Sequence, residues 1–209
     1  MQYSYWRRFA ELALTLTALP FAVPLGLVAA LAIAADSRGG VLFLQIRPGK
    51  NGKPFRMIKF RTMTARQEGA FQLTRTHDTR LTRVGKWLRK THLDEIPQLW
   101  HVLRGEMSLI GPRPVPMELY AEYLEKIPGY DERHQAPPGI SGLGQVLLGY
   151  TNTLEGEKEK WRYDVYYIRH RSAALDGWIL WATLAGVMGW PAPGRERLRQ
   201  QALDTKRLK

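Results

Sequence analysis

At 209 residues the chain has room for one domain with a real core, not for two comfortable ones. Its 31 Lys and Arg against 19 Asp and Glu give a net charge of +12, which calls for an anionic partner: nucleic acid, anionic lipid or a phosphate-rich substrate. Cysteine is absent, which excludes disulfides, thiolate metal sites and a cysteine nucleophile, and the seven Trp and nine Tyr favour membrane interfaces or stacking sites.

Arg7 and Arg8 precede a stretch, Leu12 to Ala35, without a charged residue. About 20 apolar residues suffice to cross a bilayer core. Three readings compete. A secretory signal would use Arg7-Arg8, the apolar run and Ala32-Ile33-Ala34 as a cleavage-like site, but the run is longer than such signals carry. A simple span must hold Pro20, Pro24 and Gly26 in its interior, and each proline there deletes a backbone hydrogen bond. Such a span also has basic flanks on both sides. Arg38, Arg47, Lys50, Lys53, Arg56, Lys59, Arg61 and Arg66 follow it with no acid between 37 and 67, so no charge asymmetry orients it. A re-entrant helix, broken near Pro20–Pro24 and returning to the cytoplasmic face, satisfies both facts and is the expectation.

Val41-Leu42-Phe43-Leu44 and Phe55-Arg56-Met57-Ile58-Lys59-Phe60 flank the turn-forming Pro48-Gly49-Lys50-Asn51-Gly52, which predicts a β-hairpin. Leu81, Val84 and Leu88 and, after a break, Leu99 and Val102 predict helix from Leu81 to Arg104. Gly105 and Gly111-Pro112-Arg113-Pro114 end it. A further helix is expected from Pro116 to Lys126, stopped by Pro128-Gly129. The segment Pro137 to Gly144 reads as too glycine-rich for regular structure. Uncharged Gly177 to Trp190 is too short to span and reads as a helix flat at the headgroup level or as a core helix. The basic tail from Arg195 is expected to be frayed or to lie on headgroups. No repeat or linker marks a second domain, so residues 1–209 are read as one. It divides into a membrane-inserted helix (1–36), a cytosolic part (37–190) and a basic tail (191–209). The expected class is α+β, mostly helical, with a small hairpin and amphipathic interfacial helices.

Asp94-Glu95 precedes Pro97, which suits a first helical turn, so the acids stand where a helix dipole favours carboxylates. A purely structural account makes Thr91 and Asp94 a capping box and turns Glu95 to water. The chemical account starts from Arg83, Lys86, Arg89 and Lys90 upstream and Arg113 downstream. An ionised carboxylate amid cations is a competent nucleophile toward phosphorus and an oxygen ligand for Mg²⁺. Arg113 on its proline-stiffened turn loses little entropy in gripping a phosphate, though a plain helix stop explains the loop as well. Lys59 and Arg61 share one strand face, as a solvated sheet face also would. The scattered histidines lack metal-site spacing, and G-x-x-x-x-G-K-[ST] and G-x-S-x-G are absent.

Several segments together resemble the monotopic bacterial sugar transferases, the polyprenyl-phosphate phosphoglycosyl transferases of the small, catalytic-domain-only type. They are Lys59-Phe60-Arg61-Thr62-Met63, Leu93-Asp94-Glu95-Ile96-Pro97-Gln98-Leu99, Gly105-Glu106-Met107-Ser108-Leu109-Ile110-Gly111-Pro112-Arg113-Pro114, Pro138-Gly139-Ile140-Ser141-Gly142 and Asp164-Val165-Tyr166-Tyr167. They stand in the family's order across residues 6 to 190, after Arg7-Arg8-x-x-Glu11 and the proline-bearing segment. The resemblance implies that Asp94 attacks the sugar-bearing phosphorus of a UDP-sugar, releases UMP and carries a covalent phospho-sugar, which a polyprenyl phosphate then takes. It implies Glu95 in proton handling or in steering metal and acceptor, and Mg²⁺ between Asp94 and the diphosphate. Arg89 and Arg113 would hold phosphates and Lys59 would support them. Arg61, Pro112, Asp164 and Asp176 complete the implied substrate-binding set, the last two without an assigned role. Implied surroundings are the cytoplasmic face of a bacterial inner membrane and anionic lipids, with a homodimer left open and no nucleic acid.

The chain departs from the family at Val23-Pro24, where Ser-Pro is common; at Glu11, where Asp is commoner; and at Leu147-Leu148-Gly149-Tyr150, where Asn-Gly-Arg often follows Gln-Val. The missing loop Arg bears on donor choice. It also motivates an alternative, a non-catalytic basic membrane scaffold of the same fold, against which the intact Asp94-Glu95 stands. A nucleic-acid-binding protein would explain the charge but not Leu12–Ala35.

Overall fold

The computed structural model describes residues 2–64, 78–149 and 151–204; Arg66, Tyr150 and residues 205–209 of the tail lie outside them. The described chain is α+β and mostly helical, as expected.

Helix α1 runs Gln2–Asp36 and passes through Pro20 and Pro24 without interruption. The expected break is not there. Each proline removes one N–H, but the turns on either side keep their bonds, and an apolar surrounding holds no water for the groups a full break would free. One face of α1 is buried against the rest of the chain through Glu11, Thr15, Gly26, Ala29 and Ile33, while Phe21, Leu27, Val28 and Leu31 are exposed. The exposed face is thus as apolar as the packed one, the mark of a helix with a non-aqueous neighbour. Among the described residues α1 is the one helix long and apolar enough to cross a membrane.

The hairpin forms as expected. Strands β1 (Leu42–Pro48) and β2 (Pro54–Phe60) pair antiparallel from Leu42 opposite Phe60 to Pro48 opposite Pro54. Asn51 and Gly52 take positive φ (56° and 71°) in the connecting 3-10 turn, a conformation Asn and Gly adopt most cheaply. Met57 enters the core beside Val102 and Met107.

The helix expected over Leu81–Arg104 is three pieces. Helix α2 (Arg83–Thr91) is capped by Thr82, whose hydroxyl accepts from the Gly85 N–H at 2.9 Å, and it ends at His92 with φ 57°. A 3-10 turn, Leu93–Gln98, carries the acid pair, and helix α3 (Leu99–Arg104) follows. His101 Nε2 accepts from the Ile58 N–H at 3.0 Å, so its Nδ1 carries the proton facing Glu106 at 2.6 Å. That pair ties α3 to β2.

The glycine-rich segment is more regular than expected. Strand β3 (Ser108–Ile110) pairs in parallel with β4 (Gly139–Ser141), and helix α5 (Leu143–Leu148) starts inside the segment. A Cβ on Gly139 would stand 2.1 Å from the Gly111 nitrogen, so these glycines allow two backbones to approach. Between the strands lies helix α4 (Met117–Lys126), and after α5 come α6 (Leu154–Arg169), α7 (Ala173–Met188) and α8 (Arg195–Leu203). Leu143, Tyr163, Tyr167, Ile179 and Ala202 form their common core. Helix α7 divides between the two readings of its sequence: Ile179, Ala182 and Ala185 face the core, while Trp181, Leu184 and Met188 are exposed. The tail is not frayed as far as Leu203. Arg195 donates to the Leu147 carbonyl at 3.1 Å and Arg199 pairs with Glu159 at 3.3 Å, docking α8 on the body.

Two glycine substitutions are expected to act with opposite sign. A Cβ at Gly85 would lie 2.1 Å from the Thr62 carbonyl oxygen, so Gly85→Ala should cost about 1–3 kcal/mol. Gly177, on the exposed side of α7, has nothing within 4 Å, so Gly177→Ala should gain about 0.5–1 kcal/mol. Unfolding midpoints in detergent check both.

Candidate active site

The 3-10 turn after His92 puts Asp94 and Glu95 on the body side of the chain, at 7% and 9% exposure. The capping-box account fails. The Thr91 hydroxyl donates back to the Trp87 carbonyl, no side chain caps the turn, and Glu95 is buried.

Glu95 is gripped by Arg113 through two guanidinium nitrogens, one of them at 3.2 Å. Burial alone would raise the Glu95 carboxyl, but Arg113, with His92 and Lys59, outweighs it and holds it below the usual range. Asp94 goes the other way. No described residue donates a hydrogen bond to its carboxylate. Burial first, and Glu95 second, push its pKa up, against Lys59, Arg113 and Arg89. Two adjacent acids thus have separate fates: one is neutralised by a fixed cation, the other is left available amid several.

Lys59 comes to this site from β2, its ammonium 5.1 Å from the Phe43 ring centre. Burial, helped by Arg47, Arg89 and Arg113, pushes its pKa down to about 8. Arg89 arrives from α2, with Nε on the Thr62 hydroxyl at 2.9 Å. Pro112 is buried, and its carbonyl accepts from the Gly139 N–H at 3.0 Å, which fixes the Arg113 loop to β4.

Asp164 lies one layer below. It takes a 2.6 Å bond from Arg133, whose guanidinium also pairs with Glu157 at 2.7 Å and donates to the Arg113 carbonyl at 3.0 Å. Burial raises Asp164 to about 6 in spite of Arg133. Asp164 therefore supports the Arg113 loop from beneath.

Two expected substrate residues are elsewhere. Asp176 pairs with Arg7 at 3.0 Å and accepts from the Tyr167 hydroxyl at 2.7 Å, clamping α1 to α7. Arg61 donates to the Ser37 carbonyl at 2.8 Å and to the Arg38 carbonyl, closing the exit of α1. Arg61 shares a motif with Lys59, and Asp176 entered through the resemblance alone; neither ground carries a direction in space. Sequence reading missed Arg133, Glu157 and Arg47, whose guanidinium donates to the Pro114 carbonyl. Arg133 and Glu157 sit in charged stretches, where only burial tells them apart, and Arg47 lies near the end of β1.

Among the described residues no three His, Asp or Glu side chains gather as a metal site. The available Asp94 still fits Mg²⁺, which binds through one or two carboxylates and completes its shell with substrate phosphates and water.

Residues 2–189 match the family described as bacterial sugar transferase. The chain is 40% identical over 188 residues to the UDP-N-acetylgalactosamine-undecaprenyl-phosphate N-acetylgalactosaminephosphotransferase of Aeromonas hydrophila, covering 89% of this chain and 44% of that protein. It is 45% identical over 179 residues to the UDP-glucose:undecaprenyl-phosphate glucose-1-phosphate transferase of Caulobacter vibrioides, covering 84% and 64%. It is 37% identical over 189 residues to the exopolysaccharide production protein PSS of Rhizobium leguminosarum bv. phaseoli, covering 87% and 94%. The chain thus spans less than two thirds of the first two. It belongs to the bacterial sugar transferase family.

Asp94→Asn is expected to stabilise the fold while removing the reactive group. The native-state pKa of Asp94 lies above the ordinary 3.8, so its ionisation costs stability progressively as pH rises through that raised value. Asn has no such penalty. The variant should match wild type at acid pH and melt at a higher temperature at neutral pH. Melting curves across pH check it.

Proposed function

We propose, from membership of the bacterial sugar transferase family, that this chain moves a phospho-sugar from a UDP-sugar to a polyprenyl phosphate such as undecaprenyl phosphate. The products would be UMP and a polyprenyl diphosphate sugar, at the first membrane step of polysaccharide or glycoconjugate assembly. The observation that carries the reading is the unequal treatment of two adjacent acids, Asp94 left unbonded amid cations and Glu95 locked to Arg113.

An Asp94 oxygen would attack the sugar-bearing phosphorus while the bond from that phosphorus to the UMP oxygen breaks, leaving an acyl phosphate on Asp94. A phosphate oxygen of the polyprenyl acceptor would then attack the same phosphorus and return the electron pair to the Asp94 carboxylate. Lys59, Arg89 and Arg113 supply the positive field in which charge migrates to the leaving phosphate. Glu95 holds Arg113 in place. Mg²⁺, held by Asp94 with the donor's diphosphate, would neutralise phosphate charge. The two relatives with named donors use different sugars, so the sugar is left to experiment.

A bacterial inner-membrane, cytoplasmic-face, monotopic placement is part of the proposal, and contacts at both ends of α1 support it. Near its start Arg7 reaches the Ser108 hydroxyl at 2.8 Å and Arg8 the Leu103 carbonyl at 3.1 Å; at its end Asp36 accepts from the Val84 N–H at 3.0 Å. Both ends thus bind one folded body, which supports placing both on the same side of the membrane.

The reaction is tested by UMP release from UDP-glucose, UDP-N-acetylgalactosamine and other UDP-sugars, with Mg²⁺ and undecaprenyl phosphate. Acceptor-dependent release that Asp94→Asn abolishes is expected; no release from well-folded protein would favour the non-catalytic scaffold. kcat/KM should be bell-shaped, rising as Asp94 ionises above the ordinary 3.8 and falling near pH 8 as Lys59 loses its proton. Lys59→Arg should remove the alkaline limb. For topology, Tyr5→Cys and Arg38→Cys in this cysteine-free chain should both resist an impermeant thiol reagent in spheroplasts until these are permeabilised. Labelling of only one before permeabilisation would show a span.

A further inference from the structure

On the face of α2 opposite buried Gly85 and Leu88, Arg83, Lys86, Trp87 and Lys90 recur at helical spacing, and all four are exposed. No described carboxylate pairs with any of the three cations. Asp36, at the end of α1, is occupied by the Val84 N–H of this helix. Trp87 and Arg83 also form one wall of a groove of about 340 Å³, whose other wall is Leu25, Val28 and Ala32 of α1. Its floor is closed by Ala29 and Leu88, which are fully packed. The groove is therefore a slot with apolar walls, open along the exposed apolar face of α1 and ending at an unpaired guanidinium. Its volume is at the lower end of the range of small-molecule sites.

We propose that this slot binds one anionic glycerophospholipid. An acyl chain lies along Leu25, Val28, Ala32 and Trp87, and the phosphate sits at Arg83 within the field of Lys86 and Lys90. Three unbalanced cations select an anionic headgroup over a zwitterionic one. The indole of Trp87 stands at the junction of chain and headgroup, where such rings are favoured. The slot is distinct from the acceptor's reacting position. Arg89, the α2 residue that faces Asp94, is six residues from Arg83, about 9 Å along the axis. A phosphate held at Arg83 is consequently not presented to Asp94. The proposal concerns lipid binding alone and does not depend on the transferase reading.

The test is native mass spectrometry of the full chain, delipidated in mild non-ionic detergent and titrated with phosphatidylglycerol, phosphatidylcholine or undecaprenyl phosphate. One phosphatidylglycerol retained per chain, in preference to phosphatidylcholine, is expected. Arg83→Gln, at an exposed position that leaves the fold intact, should weaken retention about fivefold. Ala32→Trp, which fills the slot and keeps every charge, should abolish it, with the unfolding midpoint as control. Equal retention of both phospholipids, or retention unchanged by Arg83→Gln, overturns the proposal. So does displacement of phosphatidylglycerol by equimolar undecaprenyl phosphate, which would give the slot to the acceptor. Absence of UMP release with selective phosphatidylglycerol retention intact would sink the transferase reading and leave this site standing.

Discussion

The grip of Arg113 on Glu95 joins the acid-bearing turn to the loop that follows β3. On one side stand α1, the hairpin and α2, with the acid-bearing turn; on the other stand the β3–β4 pair and helices α5 to α8. Arg113 touches both, since one of its guanidinium nitrogens also donates to the Ile140 carbonyl at 3.4 Å. Its backbone is no freer than its side chain. Arg133 holds its carbonyl, Arg47 holds the next one, and Gly139 bonds the preceding one. Arg133 is 1% exposed and stays charged there because Glu157 and Asp164 surround it. A guanidinium so located would be prohibitively costly unpaired, so the acids beneath the loop and the site above it form one electrostatic unit.

That unit explains why adjacent carboxylates diverge. Glu95 exchanges hydration for two guanidinium bonds, and its proton affinity drops. Asp94 loses hydration and gains only a field. A carboxylate in that condition keeps an open lone pair and is destabilised relative to water, which is what a nucleophile needs. The cations that lower its pKa are those positioned to receive a diphosphate, and a bound donor would compete for them. The same crowding of like charge pulls the Lys59 ammonium toward neutral pH.

Helix α1 is held by contacts its apolar sequence does not advertise. Arg7, Glu11, Ser108, Tyr167 and Asp176 form a partly buried cluster that fastens its first turns to β3 and α7, and Arg61 fastens the loop after its last turn. Charged groups near both ends of an apolar helix would ordinarily mark its emergence into water; here they are docking points. Their spending on anchorage is the reason Asp176 and Arg61 do not stand at the acid pair.

Much was legible in the sequence where the signal is local. The hairpin followed from a turn-forming cluster between apolar runs, α4 from proline and glycine at its two ends, and the acid pair with its Pro-flanked Arg from a resemblance covering most of the chain. The sequence also contained the residues that mattered at longer range, without saying which way they face. The pairing of β3 with β4 through glycines and the docking of α8 each depend on contacts between distant segments. Partner choice is the clearest case. Arg133 and Arg197 are equally charged in the sequence, yet one is sealed in the core and the other is exposed. Composition and motif determined that this chain carries two acids amid cations behind an apolar helix. Tertiary structure alone decided which acid is neutralised, because a pKa is set by distance and burial, and neither is a property of a residue's place in the chain.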